Sequence, residues 1–256
     1  MNRVSCIMNL TLDTIRDIKL YQNKKGYRFS VDALLLYSFV NLRRAYRIAD
    51  LGAGSGIVGI LLAKKYHDSE VALIEIQNSL AGLAEKNIAL NKVEKRVKVI
   101  RTDIKKFKLG DFHSENKTTL NSPLLTPNSF DLVVSNPPFR RQKTGLISPT
   151  DEKAIARHEI ELKLADLIQA SCSLLKSKGR FCMIYHPSRL VELIDALRGK
   201  HMEPKRLRFV HSNFMTEAKM VLVEAINNGR SEMKIENPLY IYKEDGTYTD
   251  EMKTLY

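Results

Sequence analysis

Short β-branched runs alternate with longer amphipathic stretches along most of the 256 residues, and that alternation leaves few folds open. The first run is RIADL at 47–51; VALIEI (71–76), RVKVIRTD, FDLVVS, RFCMIYH, KRLRFVH and AKMVLVEAI follow. Between them lie helical stretches: IVGILLAKKY, SLAGLAEKNIALN from about Ser79, residues 162–176, and SRLVELIDALRGK, with Ser188 placed to cap its start. Gly179 reads as the stop of the 162–176 helix. Strands separated by helices pair in parallel through right-handed crossovers, with helices on both faces. Residues 210–220 are too few for another crossover helix, so the final two strands are expected to pair antiparallel. The expectation is one α/β domain over 1–256, with a helical or lid-like segment at 1–45 and a tail at 230–256. Two stretches interrupt the pattern: 108–129, polar and rich in Pro, Ser and Asn, reads as a loop insertion, and 140–161 is charged and weakly periodic.

The turn IADLGAGSGIVG (48–59) carries the first chemistry. Gly52, Gly54 and Gly56 let the backbone take positive φ and approach a ligand, and the following helix start offers free N–H groups. Gly54, Gly56 and Gly59 also satisfy G-x-G-x-x-G, and Glu75 stands about 20 residues on, where an acid that binds a ribose belongs. On this stretch alone a dinucleotide and S-adenosylmethionine both remain open. Three features tilt the choice. Asp50 before the glycines accepts from an amino group, directly or through water, and repels a pyrophosphate. Asp103, after the third strand, is placed to accept from an adenine amine. The fourth strand ends in NPPF, which hydride transfer does not need. Ile76 and Ile104, beside the two acids, are assigned to the same cofactor site.

Consecutive prolines end a strand, because neither has the N–H that the ladder requires. What SNPPF leaves is a stiff turn. Asn136 offers an amide oxygen and Pro137 a carbonyl, two acceptors for one ligand NH₂ group. Pro138 stiffens the turn and Phe139 gives a flat face on which a ring can stack. A planar NH₂ is a poor nucleophile because its lone pair is delocalised. Holding both its N–H bonds frees that pair for attack on a methyl group supplied by a sulfonium, so Asn136 and Pro137 are the candidate catalytic pair, with Phe139 beside them and Asn136 also bordering the cofactor.

DLGAGSG, IEIQ, RTDI and SNPPF together resemble the Rossmann-like class I S-adenosylmethionine-dependent methyltransferases that act on nitrogen. GYRFSVDALLL (26–36), DLGAGSGIVGILLA, EIQNSLAGLAEKNIALN and the tail PLYIYKEDGTYTDEM are similar to bacterial tRNA1(Val) adenine-37-N6 methyltransferases, from about Thr11 to the tail. That resemblance implies a seven-stranded, mostly parallel sheet with an antiparallel last strand. It also implies S-adenosylmethionine as cofactor, transfer to N6 of a tRNA adenine next to the anticodon, and GYRFSVDALLL near the methionine end of the cofactor. Phe139 stands where Tyr is more usual, and Ala53 where Thr is common. Relatives sharing NPPF act on adenine or guanine of rRNA or on protein glutamine, so the turn fixes the kind of nucleophile and not the substrate.

Lys and Arg number 41 against 29 Asp and Glu, a formal net charge of +12. A polyanion partner accounts for that excess, as does a merely solvated basic surface. An unstacked loop base is the RNA target most cheaply turned into a pocket. Pro138, Phe139, Arg140, Arg141 and Lys143 follow Asn136 directly and are the candidate RNA contacts, with Arg43, Arg44 and Arg157 further ones. The three cysteines show neither CxxC nor metal-site spacing, which fits a reducing cytoplasm and no metal. No apolar stretch is long enough to span a membrane. A monomer is favoured.

Overall fold

The computed structural model describes residues 10–24, 31–106, 125–137 and 164–256. Strands β3 (Arg47–Leu51), β4 (Glu70–Glu75), β5 (Val97–Arg101), β6 (Phe130–Ser135), β7 (Leu175–Tyr185), β8 (Met202–His211) and β9 (Ala218–Asn227) form one sheet in the order β8-β9-β7-β6-β3-β4-β5. β3, β4, β5, β6 and β7 pair in parallel. β9 alone runs against both its neighbours, β7 and β8. Two strands of two residues each, β10 (Lys234–Ile235) and β11 (Leu239–Tyr240), add parallel to β8 and bring the sheet to nine.

The sheet's period-2 alternation divides the core. Ile48, Leu73, Leu132, Val134, Cys182 and Ile184 face one layer, covered by α1 (Val31–Phe39), α2 (Ile57–Lys65) and α3 (Asn78–Leu90). Ala49, Leu51, Ile74, Val133, Phe181 and Met183 face the other, covered by α4 (Leu164–Leu174) and α5 (Leu190–Arg198). A last short helix, α6 (Asp250–Lys253), follows the edge strands and is capped by Thr249.

Three expectations are corrected. Residues 1–45 are expected to be helical or lid-like, but the described part begins with a hairpin, β1 (Leu10–Ile15) and β2 (Ile18–Asn23), and only then enters the helix α1. The hairpin docks on α3 by an uncommon device. Asn87 and Asn91, one helical turn apart, each bond the backbone of β2 from both ends of the amide. Asn87 takes Tyr21 N (2.7 Å) and gives to Tyr21 O (3.2 Å), and Asn91 takes Lys19 N (3.0 Å) and gives to Lys19 O (2.6 Å). Two side chains thus stand in for a neighbouring strand and satisfy an edge whose polar groups would otherwise be buried.

Gly179 is not a helix stop. α4 ends at Leu174 and β7 begins at once, passing through Gly179 at a bulge against β6. A Cβ there would lie 2.9 Å from the carbonyl oxygens of Lys176 and Phe130, so the glycine serves a close approach of backbones. Nor does Ser188 cap α5: it lies inside a single 3-10 turn, Pro187–Arg189, whose first amide bond is accepted by His186 Nδ1 from Ser188 N (3.2 Å).

α2 lies unusually close to β4. A Cβ on Gly59 would come within 2.1 Å of Leu73 Cδ2, and one on Gly56 within 2.8 Å of Leu73 Cδ1. Leu73 is fully buried, so it has little room to yield. Gly59→Ala should therefore cost about 1–3 kcal/mol in urea unfolding, and the cost should shrink when Leu73→Ala is made with it. Additive losses in that double-mutant cycle would show that Leu73 is not what the glycine accommodates.

Candidate active site

The glycine turn begins as an extension of the sheet. Gly52 N and Ala53 N both donate to Ile74 O of β4, at 2.9 and 3.1 Å. The chain then turns through three left-handed glycines, Gly52 (φ 72°), Gly54 (φ 57°) and Gly56 (φ 84°), a conformation that costs glycine nothing. Beside Gly52 a Cβ would meet nothing within 4 Å, so the turn borders open space.

Two carboxylates hold this turn from behind. Glu75 Oε2 accepts from Gly54 N and Oε1 from Gln77 N, both at 2.8 Å, which fixes both oxygens. Burial pushes the Glu75 carboxyl above its ordinary range, and its bonds to the backbone amides of Gln77, Gly54 and Ile76 pull it back. Asp50 is buried deeper. Its Oδ2 accepts from Gly59 N (3.0 Å), capping the third residue of α2 from the preceding strand. Burial raises it to about 7, against the Gly59 bond and with help from the charge of Glu75. At 2% exposure Asp50 acts on the turn and does not face the open space.

Along the same rim, Asp103 is half-buried after β5, its Oδ1 accepting from Lys105 N (2.9 Å) at the start of a 3-10 turn that begins with buried Ile104. Ile76, beside Glu75, is 43% exposed. Asn136 is half-buried and Pro137 buried, directly after β6. Pro138, Phe139, Arg140, Arg141, Lys143 and Arg157 lie outside the described residues. Arg43 and Arg44 are exposed on the loop that enters β3, at the opposite end of that strand from the glycines.

Two residues that the sequence reading passed over complete the arrangement. Ser135, fully buried, donates from Oγ to Leu51 O (2.8 Å), so the last residue of β6 is tied to the last residue of β3 and the roots of the two turns are joined. Asn87, besides holding β2, donates to Ser55 O of the glycine turn (2.9 Å). The signal for Ser135 was a lone hydroxyl at the end of a buried apolar strand. That for Asn87 and Asn91 was a pair of amides four residues apart within a helix.

Among the described residues no three His, Cys, Asp or Glu side chains gather as a metal site would need, and no helix is long and apolar enough to cross a membrane.

A parallel sheet with an antiparallel β9, a glycine turn after its central strand β3, acids after β4 and β5 and an amide after β6 define a class I methyltransferase. The chain belongs to the methyltransferase small domain family, whose sequence model matches residues 30–199. It is 24% identical to the tRNA1(Val) (adenine(37)-N6)-methyltransferase of Bacteroides thetaiotaomicron, over 90% of this chain and 91% of that one. The proteins of the same name from Pedobacter heparinus (25%, over 94% of each chain) and Aeromonas hydrophila (26%, over 93% and 92%) are similarly alike. Of solved structures, a predicted O-methyltransferase from Agrobacterium tumefaciens superposes with a TM-score of 0.66 at 24% identity, covering 88% of this chain and 94% of the other. TYW2 of M. jannaschii, solved in complex with AdoMet, superposes at 0.56 and 15%, covering 85% of each.

The residues present fit S-adenosylmethionine: open space borders the turn at Gly52, and a carboxylate fixed by backbone amides stands beside it at Glu75.

Two measurements follow from the turn's supports. Burial lifts Asp50 from the ordinary 3.8 to about 7 in the folded chain. The folded state then holds a proton that the unfolded state has released, so the contribution of Asp50 to stability falls as pH rises from about 4 to 7. Asp50→Asn keeps an acceptor for Gly59 N and cannot ionise. It should melt above the wild type at pH 8 and lose much of the wild-type slope between pH 5 and 7. Parallel melting curves for the two proteins across that range would remove Asp50 as the titrating group. Separately, Asn87→Ala should weaken S-adenosylmethionine binding by about tenfold in calorimetry, the loss of roughly one buried hydrogen bond at the turn. Asn91→Ala, which loosens the hairpin alone, should leave that affinity within twofold; equal losses would place the effect in the hairpin and not at Ser55.

Proposed function

We propose that this chain methylates N6 of adenine 37 in tRNA1(Val), with S-adenosylmethionine as methyl donor, in the cytoplasm. The place of Asn136 in the chain supports the reading: it follows Ser135, whose bond to Leu51 O joins the end of β6 to the root of the glycine turn. The substrate is supported by the near end-to-end match to proteins named for that reaction and by the net charge of +12.

When bound, S-adenosylmethionine supplies a methyl group on a sulfonium. The chain's part is to place and prepare the amine. Asn136 Oδ1 and the Pro137 carbonyl accept the two N–H bonds of the adenine amine, drawing its nitrogen away from planarity. The proline after each acceptor stiffens the turn, so little reorganisation is required at the moment of transfer. Held there, the nitrogen would take the methyl carbon as the sulfur–carbon bond breaks, and its extra proton would pass to water. The positive charge would move to the nitrogen with the methyl group and leave with that proton, so no strong base is needed beforehand. Phe139 supports the ring by stacking, and Arg140, Arg141 and Lys143 meet the flanking phosphates.

The test is transfer of labelled methyl to bulk tRNA followed by digestion to nucleosides. Label should appear as N6-methyladenosine. Label in N2-methylguanosine, or only in added release factor as methylglutamine, would move the reading to another substrate with the same amine chemistry. Asn136→Ala should lower the transfer rate at least a thousandfold while S-adenosylmethionine affinity stays within a few-fold; a variant that turns over at the wild-type rate would end the assigned role.

A further inference from the structure

We infer that the turn between β8 and β9, with Phe214 and Met215 at its tip, is a stacking contact for an unpaired base of the RNA substrate, some nucleotides away from the adenine held by Asn136. This rests on the tRNA reading above and adds a second point of recognition to it.

The sheet register places the turn. Ser135 pairs with Met183, Met183 with Val223 and Val223 with Leu207, so Asn136 lies level with Arg208 on β8. β9 runs against both β7 and β8, which leaves β8 pointing the same way as β6. β8 continues past that level to His211, and the turn then rises beyond it on the same rim as the glycine turn. Three strand spacings and about five residues of rise put its tip on the order of 20 Å from Asn136. That is too far to touch the target base and within reach of the same bound RNA.

The turn is built to hold its shape without its apolar side chains. Asn213 N donates to Thr216 Oγ1 (3.1 Å), Thr216 Oγ1 donates to Asn213 O (3.0 Å), Met215 N donates to Asn213 Oδ1 (3.0 Å), and His211 Nδ1 lies 2.7 Å from Thr216 O. Asn213 and Thr216 therefore satisfy the backbone, and Phe214 and Met215 project outward at 54% and 79% exposure. Phe39, Phe130 and Phe181 are by contrast at most 4% exposed. A backbone turn already held in shape has little left to order when a flat partner arrives, so the cost is confined to the two side chains.

Two side chains cover far less than the roughly 800 Å² per partner of a stable protein interface. One ring does match one base, and base stacking on an aromatic is tolerant of sequence. Exposed Lys219 stands beyond the end of the turn, and Glu217 is its one acid. The net charge of +12 favours a polyanion over a second, equally basic copy of the chain.

The experiment is steady-state methylation of tRNA by the full chain and by Phe214→Ala/Met215→Ala. The double variant should raise KM for tRNA about tenfold or more. Its S-adenosylmethionine affinity, its melting temperature and the salt slope of its tRNA binding should stay as in the wild type. Phe214→Trp should bind tRNA at least as well as the wild type. An unchanged KM in an active double variant overturns this inference alone. A melting temperature lowered by several degrees would show the pair packed within the chain, and a changed sedimentation coefficient would show it seated on a second copy; either result overturns the RNA contact. A wild type that leaves tRNA unmethylated overturns the functional reading, and the stacking contact with it.

Discussion

The site depends on how closely a helix can be brought to a strand. Gly56 and Gly59 present no side chain to Leu73, and α2 settles against β4 at a distance that any Cβ would forbid. That approach brings the first amides of α2 to the end of β3, where Asp50 caps Gly59 N. It also sets the left-handed turn between Leu51 and Ile57 at the height of Glu75, which takes Gly54 N. A bulkier residue at Gly59 would lift the helix and with it every amide that lines the cofactor side of the turn.

Burying two carboxylates next to one another is costly, and both Asp50 and Glu75 are raised by it. Among the described residues neither is paired with a cation. Each is compensated by backbone amides of the turn, so the carboxylates and the turn hold one another in place. Stability is spent on holding both oxygens of Glu75 in one orientation beside the turn. Asp50 stands one layer behind. The sequence reading gave it a direct or water-borne contact to an amino group; its bond from Gly59 N also makes it the residue that fixes the helix start.

The parallel sheet, the antiparallel β9 and the order of the motifs were legible because each rests on local pattern: periodicity for strands, left-handed glycines for the turn, two prolines for the end of β6. What escaped the sequence were features made by distant contacts. The N-terminal hairpin alternates too weakly to announce itself, and its edge is satisfied by Asn87 and Asn91 some 70 residues away, a partnership that no local spacing displays. Gly179 follows a helix, as a stop would, and only the approach of Phe130 O explains it. Ser188 precedes an apolar run as caps do, but Pro187 starts a turn one residue too early for it. The Ser135–Leu51 bond joins two motifs that were each read separately.

The far half of the sheet secures the rim from the other side. Glu224 sits in the middle of the row Cys182–Glu224–Arg206, 2% exposed, and pairs with Arg180 on β7 (2.6 Å) and Arg206 on β8 (3.0 Å). Arg206 also donates to Phe39 O, and its guanidinium lies 4.0 Å from the centre of the Phe39 ring, which ties the end of α1 to the same row. Buried ion pairs of this sort add little net stability, since desolvation offsets their attraction. Their effect is on register. A slip of β9 by one residue would turn Glu224 into the apolar layer of Phe181, Met183 and Val223, away from both arginines. The antiparallel insertion of β9 between β7 and β8 is thereby fixed. With it goes the height at which the β8–β9 turn stands above Asn136.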